Sequence, residues 1–232
     1  MVEALEKPIV LSLCSGSGSW EIPYVESGEY NVIPITFPKH DVRLFPSLPS
    51  EEPRGNGEWL DIEKYKGKVV GILAAPDCTY FSIAGNAWKR SDQNIIDGIG
   101  VVDACFRIAY ALKPTWFALE NPVGKLKKFL GEPTFKFQPY EFGDMYSKKS
   151  YLWGWFNEPK KIPYNKEEIN MFEGSPLLEE GGILREPMSG LYYKGKIDRG
   201  EFTAPSGVDL TRKYYRSITP QGFAKAFFEA NR

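Results

Sequence analysis

Histidine and cysteine are scarce in this sequence of 232 residues, and their scarcity excludes several chemistries at once. The one histidine is His40, and the three cysteines, Cys14, Cys78 and Cys105, lie far apart with no CxxC or Cys/His pairing. A Cys/His zinc site and a disulfide framework both lack a ligand set, so no metal is expected. No run of about 18 apolar residues occurs, and Met1 to Pro8 lacks the apolar stretch of a signal peptide. A soluble, cytoplasmic protein is expected. The net charge of −1 and a pI near 6.0 exclude a general attraction to nucleic acid. Binding to a polyanion has to come from local clusters: Lys89-Arg90, Lys125 to Lys128, Lys148-Lys149, and Arg212-Lys213 with Arg216.

What is present reads as one α/β domain: 42% of the residues are hydrophobic and 25% charged, enough to bury a full core. Pro8 to Leu13 is an apolar run that opens into Cys14-Ser-Gly-Ser-Gly-Ser-Trp20, a buried strand followed by a glycine-rich turn. Trp20 to Ser27 predicts a short helix stopped by Gly28, and Tyr30 to Thr36 a second strand, completing a βαβ unit. After a proline- and glycine-rich stretch between Phe37 and Gly67, Lys68 to Ala74 predicts a third strand. Ile95, Ile96, Ile99, Val102, Phe106, Ala109 and Leu112 recur at helical spacing behind a cap at Ser91 or Asp92. Thr115 to Leu119 predicts a fourth strand, Val123 to Leu130 a short basic helix, and Thr134 to Tyr140 and Tyr151 to Phe156 further strands. Thr219 is expected to cap a last helix. Residues 1–156 are thus expected to form the core, 157–215 a loop-rich insertion with a small hairpin around Leu191 to Lys196, and 216–232 a helix that completes the core.

Ligands of an open α/β sheet sit outside the carboxyl ends of its strands, and three strand ends carry distinctive sequences. Gly16 and Gly18 let the backbone turn sharply and approach a nucleotide-like ligand, although such a stretch also occurs as a plain turn. Cys78 lies beyond a buried strand in a loop after Pro76-Asp77, outside any apolar pattern, whereas Cys105 falls on the buried face of a helix. Glu120 stands at the end of the fourth strand beside Asn121 and Pro122. A thiol, an acid and a cofactor loop together point to nucleophilic catalysis with a bound cofactor.

The order SLCSGSGSW, AAPDCTYFS, ALENPVG, FGDMYSKKSYLWG and RSITPQGFAKAFFEANR resembles the motif order of the DNA (cytosine-5)-methyltransferases, above all the compact members of bacteriophages and prophages. The resemblance covers Ile9 to Phe45, Val70 to Phe156 and Arg216 to Asn231. It implies a Rossmann-like S-adenosylmethionine-dependent methyltransferase fold, with a mixed, mostly parallel sheet, helices on both faces and a reduced target-recognition region. It also implies that Cys78 attacks C6 of a cytosine, that Glu120 protonates the N3 side of the ring, and that Lys148 stands where the family has a supporting arginine. Cys14, Ser15, Gly16, Ser17, Gly18 and Trp20 would line the cofactor site, with Thr36, Asp41, Val42 and Pro76 completing it. Ser82, Asn121, Lys149 and Arg216 would meet the DNA, as a duplex with the cytosine flipped out or as a single strand.

The sequence also departs from the pattern. Ser12-Leu13-Cys14 replaces Asp-Leu-Phe, Thr36 stands where an acid normally binds the ribose, and Asp77 replaces the second proline of Pro-Pro-Cys. Asp61-Ile62 competes with Asp41-Val42 for the adenine-facing role. A different one-carbon donor, a catalytically silent nucleic-acid-binding relative, and RNA or a nucleotide as substrate remain open at this point.

Overall fold

A computed structural model of the protein describes residues 7–44, 65–82, 91–144, 148–163 and 218–232. The strands are β1 (Ile9–Leu13), β2 (Asn31–Ile35), β3 (Val69–Ala74), β4 (Trp116–Pro122), β5 (Phe135–Phe137) and β6 (Ser150–Trp155). The helices are α1 (Ile22–Ser27), α2 (Asp92–Leu112), α3 (Lys127–Leu130) and α4 (Gln221–Ala230). One sheet forms in the order β2-β1-β3-β4-β6-β5. Strands β1 to β4 run parallel to their neighbours, and β6 lies antiparallel between β4 and β5. This mostly parallel, Rossmann-like sheet with one reversed strand near its edge is the arrangement that the sequence leads one to expect.

Side chains alternate across the sheet, so each strand feeds two cores. On one face Leu11, Leu13, Ile72 and Leu119 meet Val102, Cys105, Ile108 and Leu112 of α2. On the other, Val10, Leu73, Ala118 and Leu152 meet Tyr24 of α1 and Phe223 and Phe227 of α4. Each valine, leucine, isoleucine and phenylalanine among them, fully buried, contributes about 1.5–3 kcal/mol. The parity of β3 changes at an irregularity in its pairing with β1, which turns Gly71 towards the second face. The ring of Trp116 fills the space there, 2.0 Å from where a Cβ would stand.

Helix α2 begins as expected: Ser91 Oγ accepts from the Asn94 N–H at 3.2 Å, and Asn94 Oδ1 accepts from the Ser91 N–H at 3.3 Å. Four expectations change. Strand β4 continues through Glu120, Asn121 and Pro122 because β6 pairs with all three. The basic helix shortens to Lys127–Leu130, since Gly124 is first laid against Phe81. The strand at Phe135 stops at Phe137, where Gln138 and Pro139 start a 3-10 turn closed by Gly143 at φ 90°. Thr219 does not cap α4; Pro220 occupies that position, and Asp144 Oδ2 accepts from the Gly222 N–H at 3.0 Å. The hairpin around Leu191, and nearly all of the expected insertion, lie outside the described residues.

Candidate active site

The parallel register levels three strand ends. Leu13 pairs with Ala74 and Ala74 with Leu119, so Cys14, Ala75 and Glu120 stand level; Cys14 and Ala75 leave the sheet there, while Glu120 stays in β4, held by β6. The order β1, β3, β4 thereby brings the glycine loop, the Cys78 loop and Glu120 to one edge.

Cys78 opens a 3-10 turn, Cys78–Tyr80, and is half-buried. Asp77 shapes that turn: its Oδ1 accepts from the Thr79 N–H at 2.8 Å and from the Thr79 hydroxyl at 2.5 Å. The loop is then fastened to β4 and the residues after it. Asn121, wholly buried, donates from Nδ2 to the Pro76 carbonyl at 3.0 Å. The Lys125 N–H donates to the Phe81 carbonyl at 2.7 Å, and Ser82 forms an antiparallel bridge with Gly124. A Cβ on Gly124 would stand 2.0 Å from the Phe81 oxygen, so glycine is what allows the two segments to touch. Pro76, Ser82 and Asn121 thus build the frame around Cys78. Glu120 is 9% exposed, and its Oε1 is buried with no hydrogen-bond partner.

On the cofactor side, Cys14 takes φ 59°, a left-handed conformation unusual for a residue with a Cβ. Its N–H donates to the Ile35 carbonyl, and its own carbonyl accepts from the Gly16 N–H at 3.0 Å. Its side chain turns into the core: the hydrogen bond it makes with Cys105, together with burial, pushes the Cys105 thiol up. Ser15 continues the turn, and nothing stands within 4 Å of a Cβ built on Gly16, so the loop is open in front of that residue. Gly18 adopts φ 66°. Ser17 Oγ lies 2.8 Å from Ser19 Oγ, and Ser19 Oγ accepts from the Thr219 N–H at 2.7 Å.

Several expected residues are engaged elsewhere. The ring of Trp20 is 1% exposed and packs on Phe223 and Phe227, with centroids 5.8 and 5.3 Å away, so it belongs to the core of that face. What it leaves for a ligand is a buried, unpaired Nε1–H. Asp41 holds Arg43, with Oδ1 at 3.0 Å from Nε and Oδ2 at 2.6 Å from Nη2. That guanidinium keeps the Asp41 carboxyl below its usual range. Val42 is buried in the core, and Thr36 carries a buried Oγ1 without a partner. Lys148 donates from Nζ to the Ile218 carbonyl at 3.4 Å and so braces the segment before α4. Lys149 is exposed, and its carbonyl accepts from the Val123 N–H at 2.9 Å. Arg216 and Asp61-Ile62 lie outside the described residues.

The sequence reading passed over Glu21 and Ser150. With Ser12, Trp20 and Glu120, they carry buried polar atoms that lack any hydrogen-bond partner: Ser12 Oγ, Trp20 Nε1, Glu21 Oε2, Glu120 Oε1 and Ser150 Oγ. Strand alternation puts Ser12, Glu120 and Ser150 on the face covered by α1 and α4, since Pro122 pairs with Ser150 and Glu120 with Leu152. An unsatisfied buried polar group costs about 1–3 kcal/mol, and native proteins hold few of them. Five along one end of one sheet face make a row that a polar ligand would satisfy. No pattern in the sequence marks Ser150, whose meaning comes from the register of β6. Among the described residues no three of His, Cys, Asp and Glu gather as metal ligands, and no helix is long and apolar enough to cross a membrane. An open cavity of about 500 Å³ lies at the other end of the sheet, between Lys7, Tyr30, Asn31, Tyr65 and Lys68, remote from Cys78.

No family model matches the chain, and no curated protein matches it. Among solved structures, the methyltransferase EhMeth of Entamoeba histolytica is similar over 97% of each chain, at 13% identity and a TM-score of 0.48. A likeness of that degree speaks to neither substrate nor mechanism, which rest on the residues themselves.

Proposed function

We propose that this protein is a methyltransferase of the cytosine-C5 type that acts on DNA. The observation that carries this reading is the pairing of Cys78 and Glu120 on adjacent strand ends, with Asn121 tying the thiol-bearing loop to the acid-bearing strand. In this reading Cys78 forms a bond from Sγ to C6 of the cytosine, and the displaced π electrons move towards N3, where Glu120 supplies the proton. The ring is then nucleophilic at C5. S-adenosylmethionine, when bound, supplies an electrophilic methyl group. Methylation of C5 would leave S-adenosylhomocysteine; a base then takes the C5 proton, the Cys78 thiolate departs from C6, the C5–C6 double bond is restored, and the N3 proton returns to Glu120.

The residues present fit such a cofactor: an open glycine loop and the unsatisfied atoms of Ser12, Trp20 and Glu21 lie along the end of β1. A polyanionic substrate suits the rim beside Cys78. Lys127 and Lys136 are both held by Glu132, but Lys125, Lys128 and Lys149 make no ion pair among the described residues. Lys149 accepts the Val123 N–H at its own carbonyl just before β6, and Lys125 follows two positions after Val123.

The commitment of Asp41 to Arg43 favours a second reading, with the same Cys78 and Glu120 chemistry but another one-carbon donor. One experiment separates the readings. DNA containing 5-fluorocytosine is incubated with the protein, with and without S-adenosylmethionine, and Cys78 is examined by mass spectrometry. The expected product is a cofactor-dependent adduct on Cys78 that carries one added methyl and is absent from Cys78→Ala. An adduct formed only with another donor supports the second reading, and no adduct with any donor makes the chain a silent binding protein.

A further inference from the structure

Glu21 precedes α1 and occupies its N-cap position, yet its carboxylate makes no capping hydrogen bond. The side chain instead turns back on the glycine loop: Oε1 lies 3.1 Å from where a Cβ on Gly18 would stand, and Oε2 is buried without a partner. Ser12, wholly buried, places its hydroxyl beside that carboxylate at the end of β1. Burial pushes the Glu21 carboxyl up, offset in part by the Ser12 hydroxyl, as expected of an acid shielded from water with no cation beside it. Of the other acids near this edge, Asp41 is spent on Arg43, Asp77 on Thr79, and Glu120 stands two strands away on β4; positions 12 and 36 carry hydroxyls. Glu21 is therefore the carboxylate that the glycine loop presents without a cationic partner among the described residues.

A buried carboxylate of this kind selects for a compact cation that can donate hydrogen bonds while filling the space beside Gly18. We propose that Glu21, with Ser12 beside it, binds the α-ammonium group of the amino-acid end of the cofactor. The proposal rests on the reading of S-adenosylmethionine as donor and assigns that site its charge-recognition residue. An ammonium partner satisfies Oε2 and holds the carboxylate ionised, and hydrogen bonds to charged groups are the stronger ones.

The test is calorimetric binding of S-adenosylhomocysteine and of methylthioadenosine, which lacks the amino-acid end, to the wild-type protein and to Glu21→Gln. The substitution should weaken S-adenosylhomocysteine by about 10- to 100-fold and leave methylthioadenosine unchanged. S-adenosylmethionine should weaken by the same factor; a much larger loss for it alone would place Glu21 at the sulfonium and overturn the proposal. A second arm needs no variant: N-acetyl-S-adenosylhomocysteine, which keeps the carboxylate and loses the charge, should bind the wild type about 10- to 100-fold more weakly than the parent. Equal affinities in either arm would overturn the proposal while leaving the methyltransferase reading in place. If the wild type binds none of these nucleosides, both fall.

Discussion

Gly124→Ala perturbs the geometry on which the proposed chemistry depends. The new Cβ would meet the Phe81 carbonyl oxygen at 2.0 Å, the Phe81 carbonyl carbon at 2.8 Å and the Ser82 Cα at 2.9 Å. All three are backbone atoms, so no side chain can swing away. Since real Cβ contacts essentially never fall below 3.0 Å, the two segments have to part by at least about 1 Å. That movement breaks the bond from Lys125 N–H to Phe81 O, now 2.7 Å long, and the bridge between Ser82 and Gly124. Cys78 then shifts relative to Glu120, while the two cores, which lie further down the sheet, stay packed. Misplacing a reacting group by 1 Å costs about 10²-fold in rate. The variant should therefore lose about two orders of magnitude in kcat/KM for methyl transfer, and in the rate of adduct formation on Cys78, with its unfolding temperature lowered by only a few degrees. Steady-state transfer of labelled methyl, paired with a thermal melt, reads both. Wild-type kcat/KM in a folded Gly124→Ala protein would refute the argument that this contact sets the spacing of thiol and acid.

Further outcomes are expected. Glu120→Gln keeps the shape but not the proton, and should lower kcat by about 10²-fold or more, read by single-turnover transfer. Ser150→Ala removes an unsatisfied buried hydroxyl from the face that carries Glu120; it should hold or slightly raise the unfolding temperature yet raise KM for DNA about tenfold. Lys113 ends α2 at φ 51°, so Lys113→Gly should stabilise by about 1 kcal/mol in a urea titration. The raised carboxyl of Glu21 binds its proton more tightly in the folded than in the unfolded chain. Stability of the ligand-free protein should thus fall as pH rises from near 4.5 through the raised value and then level off. Glu21→Gln should remove that slope from urea midpoints measured across the window.

The sequence made the central scaffold legible because its signals there are redundant. The apolar runs ending at Leu13 and Ala74 have no alternative to burial, and the spacing from Ile95 to Leu112 admits only a helix, so β1, β3 and α2 fall close to where the pattern puts them. The places of Cys78 and Glu120 were legible for the same reason, one following β3 and the other lying in β4 just past its pairing with β3. Partners distant in the chain were not. Trp20 reads as a cofactor wall until Phe223 and Phe227 are seen to enclose it, and Lys148 as a substrate contact until its ammonium is found on the Ile218 carbonyl. Asn121 shows nothing in sequence of its hold on Pro76, 45 positions away. Glu21 and Ser150 went unnoticed because an acid before a helix and a serine in a strand are ordinary, and only their missing partners set them apart.

The bond from the Thr219 N–H to Ser19 Oγ spans 200 positions, and Gln221 Nε2 reaches the Ser19 carbonyl in the same way. The glycine loop is therefore synthesised 200 positions ahead of the group that holds it. Until residues 218–221 emerge, Ser19 lacks both contacts and Trp20 has no Phe223 or Phe227 to pack against. Any cofactor pocket at this edge is consequently completed only after all six described strands of the sheet have been made.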